Sequence, residues 1–266
     1  MTLHALFAFP FSLFTSYAAA QDSAPAPIAD NSFLIEEAYN QEAGVVQHIS
    51  TFSLADDGDA WDYSFTQEWP VTGMRHQASY TVPVIYADGA GTGIGDVGLN
   101  YRYQLVSNQP YAVAPRLSVI LPTGSEENGR GSGSVGFQLK LPASVELGPR
   151  LVTHWNAGLT LTPSARSALG DYSAVDYNAG GSVIFRVSRG FNLMLEAVWN
   201  SFETGPDPLG GSTRESVTVL NPGARWAFDF ASGLQIVPGV AYSFTTDDAD
   251  PDALFLYLSL EHPFKR

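Results

Sequence analysis

The 266-residue chain contains no cysteine, which excludes disulfide staples and thiolate metal or redox sites. Charged side chains are scarce, at 15%, and only 13 residues are Lys or Arg. With a formal charge of −14 there is no basic face to replace phosphate counterions, so a nucleic-acid partner is excluded. Beyond the first 20 residues no apolar run approaches the roughly 20 that a membrane-spanning helix requires. What is present is 12% aromatic residues and 25 glycines. That composition suits a β-rich chain with many turns, and large all-β barrels commonly run this long as one domain.

The amino terminus reads as an export signal. Leu6 to Tyr17 is mostly apolar, and Ala18-Ala19-Ala20 before Gln21 offers a small-residue cleavage site near Ala20. The leading Met1-Thr2-Leu3-His4 departs from the usual pattern in carrying no Lys or Arg. A buried helix is the competing reading, but Pro10 suits it poorly. Residues 21–30 form a Pro/Ala linker. Asn31 to Glu42 is the one helix-like stretch, with Ser32 as a cap and Glu36 and Glu37 in the first turns.

From 43 to 264 the chain divides into twelve strand-length segments: 44–54, 61–69, 74–86, 94–106, 111–121, 133–146, 150–161, 174–188, 191–202, 215–229, 234–244 and 253–264. Most are long enough to cross a membrane when tilted, which takes about 9–11 residues. Period-two alternation supports this. In the last segment Leu254, Leu256, Leu258 and Leu260 recur on one face and Phe264 continues the register, while Phe255, Tyr257, Ser259 and Glu261 share the other. In 174–188, Val175, Tyr177, Val183 and Phe185 oppose Asp176, Asn178, Ser182 and Arg186. The first segment alternates poorly and leaves its register open.

Loop lengths and charge sort the same way. Turns at Pro70–Gly73, Ser107–Pro110, Leu147–Arg150, Ser188–Gly190 and Phe230–Gly233 are short, while Pro122–Ser132, Thr162–Ser173, Glu203–Arg214 and Thr245–Asp252 are longer and polar. Short turns on one rim and long loops on the other mark outer-membrane barrels. Acidic runs fall in the predicted extracellular loops, and Arg75, Arg150, Arg189 and the basic tail Lys265-Arg266 fall on the short-turn side. Trp61, Trp69, Tyr80, Tyr86, Trp155, Trp199 and Trp226 lie mostly toward strand ends in the outward register, as interfacial girdles would.

Gly93-Ile94-Gly95-Asp96-Val97-Gly98-Leu99 opens one long strand, Leu121-Pro122-Thr123-Gly124 closes the next, and Gly131-Ser132-Gly133 enters a third. This succession, over about residues 60–262, resembles the transporter-like outer-membrane proteins grouped as the MetA pathway of phenol degradation. The resemblance implies an outer-membrane β-barrel and a link to aromatic compounds, and it brings no catalytic residue set. His262 and the Lys265-Arg266 tail depart from the usual terminus. Gly93-x-Gly95-x-x-Gly98 also matches a dinucleotide-binding pattern on paper, but that motif needs a helix after it. Here an alternating strand follows, so the glycines read as a bulge or tight bend.

The remaining chemistry points to the lumen. The inward register collects Arg75, Arg102, Arg116, Lys140, Arg186 and Arg225 with Asp62, Glu68, Asp96, Glu146, Asp176 and Glu196, and adds His154 and Asn156. Two readings stay open: charges that pair and plug the interior, or a mixed-charge channel that contacts solute. The Asn31–Glu42 segment could enter the lumen as a plug. His154 has no serine in its local pattern to make a nucleophilic pair. Asp248, Asp250 and Asp252 have the alternate spacing of a calcium loop but lack its glycine and its final Glu. No catalytic, metal or cofactor site is expected.

The sequence therefore predicts an all-β, membrane-spanning up-and-down antiparallel barrel of about twelve strands in the outer membrane of a Gram-negative cell, with a short N-terminal helical segment. Its expected partners are outer-membrane lipid and lipopolysaccharide, the barrel-insertion machinery through the C-terminal strand, and a small-molecule solute that passes passively. A closed structural or surface-binding barrel and a membrane-embedded hydrolase are the alternatives.

Overall fold

The computed structural model describes residue 28 and residues 31–206, 212–246 and 251–264. Twelve antiparallel crossings close into one barrel. They are β1 (Val45–Ala55), β2 (Ala60–Pro70), β3 (His76–Ala87), β4 (Gly91–Ile94, Val97–Tyr103 and Val106–Asn108), β5 (Tyr111–Val113 and Arg116–Leu121) and β6 (Gly136–Gly148). Then follow β7 (Leu151–Ala165), β8 (Tyr172–Ser188), β9 (Phe191–Pro206), β10 (Ser212–Trp226 with Phe228–Asp229), β11 (Gln235–Thr245) and β12 (Ala253–Pro263). Each expected segment has its strand. The seam is formed by β1 and β12, paired from Val45↔Pro263 to Ala55↔Ala253, so no hydrogen-bonding edge is left open to lipid.

Alternation decides which face each residue takes. In β12, Leu254, Leu256 and Leu258 are about two-fifths exposed on the outer wall, at 39, 42 and 39%, whereas Phe255, Tyr257 and Ser259 are 6, 4 and 1% exposed inside. The outer wall is largely apolar, with Leu99, Leu117, Leu139, Leu195 and Phe137 all exposed. In water such a belt would drive aggregation, and in a bilayer it is the solvated surface. Aromatic rings bracket the belt. Trp61 stacks on Tyr86 at 5.8 Å near the long-loop rim, and Trp69 meets Tyr80 at 6.0 Å and Phe191 meets Trp226 at 5.2 Å near the short-turn rim. The strand β1, whose register the sequence leaves open, faces Gln47, Ile49 and Thr51 inward by its pairing with β2 and β12.

The glycine-rich motif resolves into a loop clasp. Register between β3 and β4 shifts from Val84↔Ile94 to Thr81↔Gly98, so the chain bulges at Gly95-Asp96, as the glycines suggest. The bulge aims Asp96 at the loop after β5. Its Oδ1 accepts from Gly124 N–H at 2.9 Å, and its Oδ2 accepts from Ser132 N–H at 2.8 Å and Ser132 Oγ–H at 3.0 Å. Thr123 Oγ1 donates to Gly95 O at 2.8 Å and accepts from Val97 N–H at 2.9 Å. At Gly124 an added Cβ would lie 2.1 Å from Arg130 O, a close approach that only glycine permits. Asp96, expected among the lumen charges, thus serves the loop after β5.

The expected helix over Asn31–Glu42 does not form. These residues run as bends without a helical turn or strand pairing. Ser32 does not cap; its hydroxyl meets Ser182 Oγ on β8 at 2.7 Å. The segment's amide N–H groups are taken by side chains of the barrel wall instead of by carbonyls four residues back, which removes the reason to coil.

Candidate functional site

Residues 31–42 lie inside the barrel, and the wall holds them largely by their backbone. Leu34 and Ile35 N–H both donate to Glu196 Oε1, at 2.8 and 3.0 Å. Glu36 N–H donates to Asn156 Oδ1 at 2.9 Å, and Asn156 Nδ2 returns a bond to Glu36 O at 2.8 Å. Ala38 N–H reaches Ser144 Oγ at 2.8 Å, Asn40 N–H reaches Gln104 Oε1 at 2.8 Å, and Gln41 N–H reaches Gln77 Oε1 at 2.7 Å. Carbonyls are used too: Gln104 Nε2 donates to Ala38 O at 2.7 Å, Arg102 donates to Glu37 O and Tyr39 O at 3.1 and 2.6 Å, and Arg225 donates to Asn31 O. Strands β3, β4, β6, β7, β9 and β10 thereby grip an irregular chain whose polar groups would otherwise be buried unpaired.

Charge reinforces the grip. The Glu36 carboxylate is 2.8 Å from Arg116 and 2.9 Å from Lys140. Burial by itself pushes its pKa up, but Arg116 and Lys140, with Arg102 further off, more than reverse this and hold it at about 2. Arg102 also donates to Asn40 Oδ1 at 2.9 Å and lies 4.0 Å from Glu68. Glu68 in turn accepts from Gln77 Nε2 at 2.7 Å.

Two apolar side chains complete the seating. Ile35, 2% exposed, packs its Cδ1 against Gly180 of β8. Phe33, 8% exposed, packs against Gly223 of β10, Gly239 of β11 and the rings of Phe255 and Tyr257 of β12.

Of the charged and polar residues that the sequence assigns to the lumen, Arg102, Arg116, Lys140, Asn156, Glu196 and Arg225 converge on this segment. Arg186 sits lower, 3.8 Å from Glu146 at the short-turn mouth. Asp176 sits higher, accepting from Glu203 N–H at 2.9 Å near the long loops, apart from the rest. Arg75 is a correction. It lies exposed in the turn between β2 and β3, because β3 begins at His76 rather than at residue 74 and leaves Arg75 outside the alternating register. Asp248 and Asp250 lie outside the described residues. Asp252 Oδ1 accepts from Thr245 N–H at 3.0 Å, and among the described residues no group of three or more His, Asp or Glu is placed to hold a metal.

His154 has a serine partner on the neighbouring strand, outside the local pattern that the sequence offers. Ser144 Oγ lies 2.7 Å from His154 Nδ1, since the turn between β6 and β7 pairs Ser144 with His154 directly. That signal was legible as two positions nearly equidistant from the short turn. Ser144 is 1% exposed and bound by Ala38 N–H, so the pair anchors the segment and presents no open nucleophile. The amides Gln77 and Gln104 share the inward register of Arg102 but, being uncharged, do not stand out in the sequence as lumen groups.

Among the described residues, two cavities that flank the segment share none of their lining residues. One of about 290 Å³ opens among Glu37, Tyr39, Met74, Glu146, Arg186 and Glu261 toward the short-turn rim. The other, about 200 Å³, lies among Phe33, Glu36, Thr51, Thr66, Arg116 and Tyr257.

With this geometry in hand, comparison places the barrel. Residues 26–254 match the family described as "Putative MetA-pathway of phenol degradation". The chain belongs to this family. Solved structures of similar fold include an outer-membrane channel from Pseudomonas putida F1, with 13% identity, 85% of this chain and 97% of that chain covered, and a TM-score of 0.59. The NanC porin gives 9% identity, 83 and 100% coverage and a TM-score of 0.56, and the KdgM porin 10%, 82 and 99%, and 0.54. At such identities the likeness concerns fold, and the fold is that of an outer-membrane barrel. No curated protein shows significant sequence similarity to the chain.

Proposed function

We propose that this member of the phenol-degradation family is a passive outer-membrane channel for a small aromatic or hydrophobic solute, with residues 31–42 as a displaceable closure. The observation that carries the reading is the manner of holding. The segment pairs with no strand, and its main chain is bound by rotatable wall side chains, each such bond worth about 1 kcal/mol net where the wall group is neutral and about 1.5–3 kcal/mol where it is Glu196, Arg102 or Arg225. At twelve strands the interior is too wide for wall side chains alone to fill easily, so closure falls to residues 31–42. Arg102, Arg116, Lys140, Glu196 and Arg225 would line the path once the segment leaves, and would contact solute. The solute class is supported by the family's name and by the aromatic packing around Phe33.

The same reading has the chain exported by a signal cleaved near Ala20, with residues 21–30 as a linker. The barrel inserts by its β12 terminus and sits in outer-membrane lipid and lipopolysaccharide. Arg102, buried at 4% exposure with its guanidinium bonded to the segment, favours the second reading, a closed structural barrel.

Planar-bilayer conductance separates the two. The full chain should open briefly and rarely, and a chain lacking residues 31–42 should conduct steadily. A folded deletion variant that never conducts would sink the channel reading.

A further inference from the structure

Phe33 occupies a socket whose construction exceeds what one plug residue needs. Gly223 and Gly239 face the lumen from neighbouring strands, and a Cβ on Gly239 would lie 2.5 Å from Phe33 Cε1 and Cζ, while one on Gly223 would lie 2.6 Å from its Cε2. Any other residue at either position would fill the hollow. On β12, Phe255 and Tyr257 flank the ring at centroid distances of 5.6 and 5.2 Å, tilted by 38° and 44°, within the range of favourable aromatic pairs. Ile49, Val237 and Ala241, all under 9% exposed, close the apolar surround. Around it the wall is polar, with Asn221, Glu196, Arg225 and Ser243 buried nearby in β9 to β11. Apart from Ile35 against Gly180, the rest of the segment is gripped mainly by hydrogen bonds and ion pairs. Here it is seated by a phenyl ring in a ring-shaped site.

We infer that this socket is a binding site for an uncharged monocyclic aromatic solute, and that Phe33 is its built-in competitor. The inference rests on the channel reading above and deepens it. Because ring and solute cannot share the space, a solute in the socket requires Phe33 to be out, and solute binding shifts the segment toward its displaced state. The apparent affinity in the intact chain is lowered by the small fraction of molecules in which Phe33 has left. Solute would thus promote its own entry.

The test uses benzyl alcohol and its saturated counterpart cyclohexylmethanol as probes. Binding is followed by ligand-observed NMR on the folded, detergent-solubilised full chain. Phe33→Ala should bind benzyl alcohol at least tenfold more tightly than the unaltered chain, and cyclohexylmethanol several-fold more weakly than benzyl alcohol. Adding Gly239→Val to Phe33→Ala should abolish the gain; Gly223→Val serves if the first double variant does not fold. In bilayers, benzyl alcohol should raise the opening frequency of the unaltered chain saturably. Equal affinity with and without Phe33, or binding that survives the filled socket, overturns the site. Socket binding with no effect on opening overturns the competition. Steady conductance of the chain lacking residues 31–42, measured alongside, shows whether a negative result strikes this inference alone or the channel itself.

Discussion

Glu36 and Arg116 form an ion pair at 2.8 Å that joins the lumen segment to β5. With Lys140 on the same carboxylate oxygen, the pair holds the seated Glu36 near pKa 2, against an ordinary value of 4.5. A depressed pKa means that the unseated state takes up the proton first. Seating by this contact is therefore complete above about pH 4.5 and is lost as pH falls toward about 2, by up to tenfold per unit for one proton. Single-channel recording should find open probability rising across that window in the unaltered chain. Glu36→Gln should be more open at pH 7 and lose this part of the dependence. A Glu36→Gln profile that matches the unaltered chain would remove Glu36 as the cause.

Glu196 is wholly buried and accepts from Leu34 N–H, Ile35 N–H and Asn221 Nδ2. Glu196→Ala takes the acceptor from three donors, the Leu34 and Ile35 amides and Asn221 Nδ2, at about 1–3 kcal/mol for each that is left buried. The expected result is a segment that leaves the lumen, read as increased cleavage within residues 31–42 by added protease while the barrel band on unheated gels persists. Unchanged protection would show that the other contacts suffice.

Asp96 ties the loop after β5 to the β4 bulge through Gly124 and Ser132. Asp96→Ala should leave conductance and barrel melting nearly unchanged but expose Pro122–Gly131 to proteolysis. Loss of barrel folding instead would mean that the clasp is needed for assembly.

Leu256 lies on the outer wall between Phe52 of β1 and Val240 of β11. Leu256→Arg places a charge in lipid at mid-strand, costing about 2–4 kcal/mol. Ser259→Ala, on the inner face, should cost less. Folding yields into lipid vesicles at graded urea would rank them, and the reverse order would contradict the assigned faces.

The twelve crossings, the faces of most strands and the sorting of short turns from long loops were legible in the sequence, whereas the faces of β1 and the places of Arg75 and Asp96 were not. Those properties come from local periodicity and turn chemistry, as in the Leu254–Leu260 row and the short turn at Ser188–Gly190. The family motif was legible as glycines at a bulge, but its purpose, Asp96 reaching the loop, depended on register. Asn31–Glu42 misled because local propensity favours a helix there, with Ser32 placed to cap and acidic residues following.

By itself, then, the sequence determined an outer-membrane barrel with a charged interior, because strand alternation and loop asymmetry are properties of neighbouring residues. Only the tertiary structure decided what fills that interior. The wall side chains that bind the main chain of residues 31–42 lie between 36 and 194 positions away along the chain. Backbone amides that meet Glu196, Asn156 and Gln77 in a closed lumen gain more from those side chains than from coiling on themselves. The same closure turned Gly223 and Gly239, which in the sequence are merely small residues in strands, into the floor of a socket for Phe33.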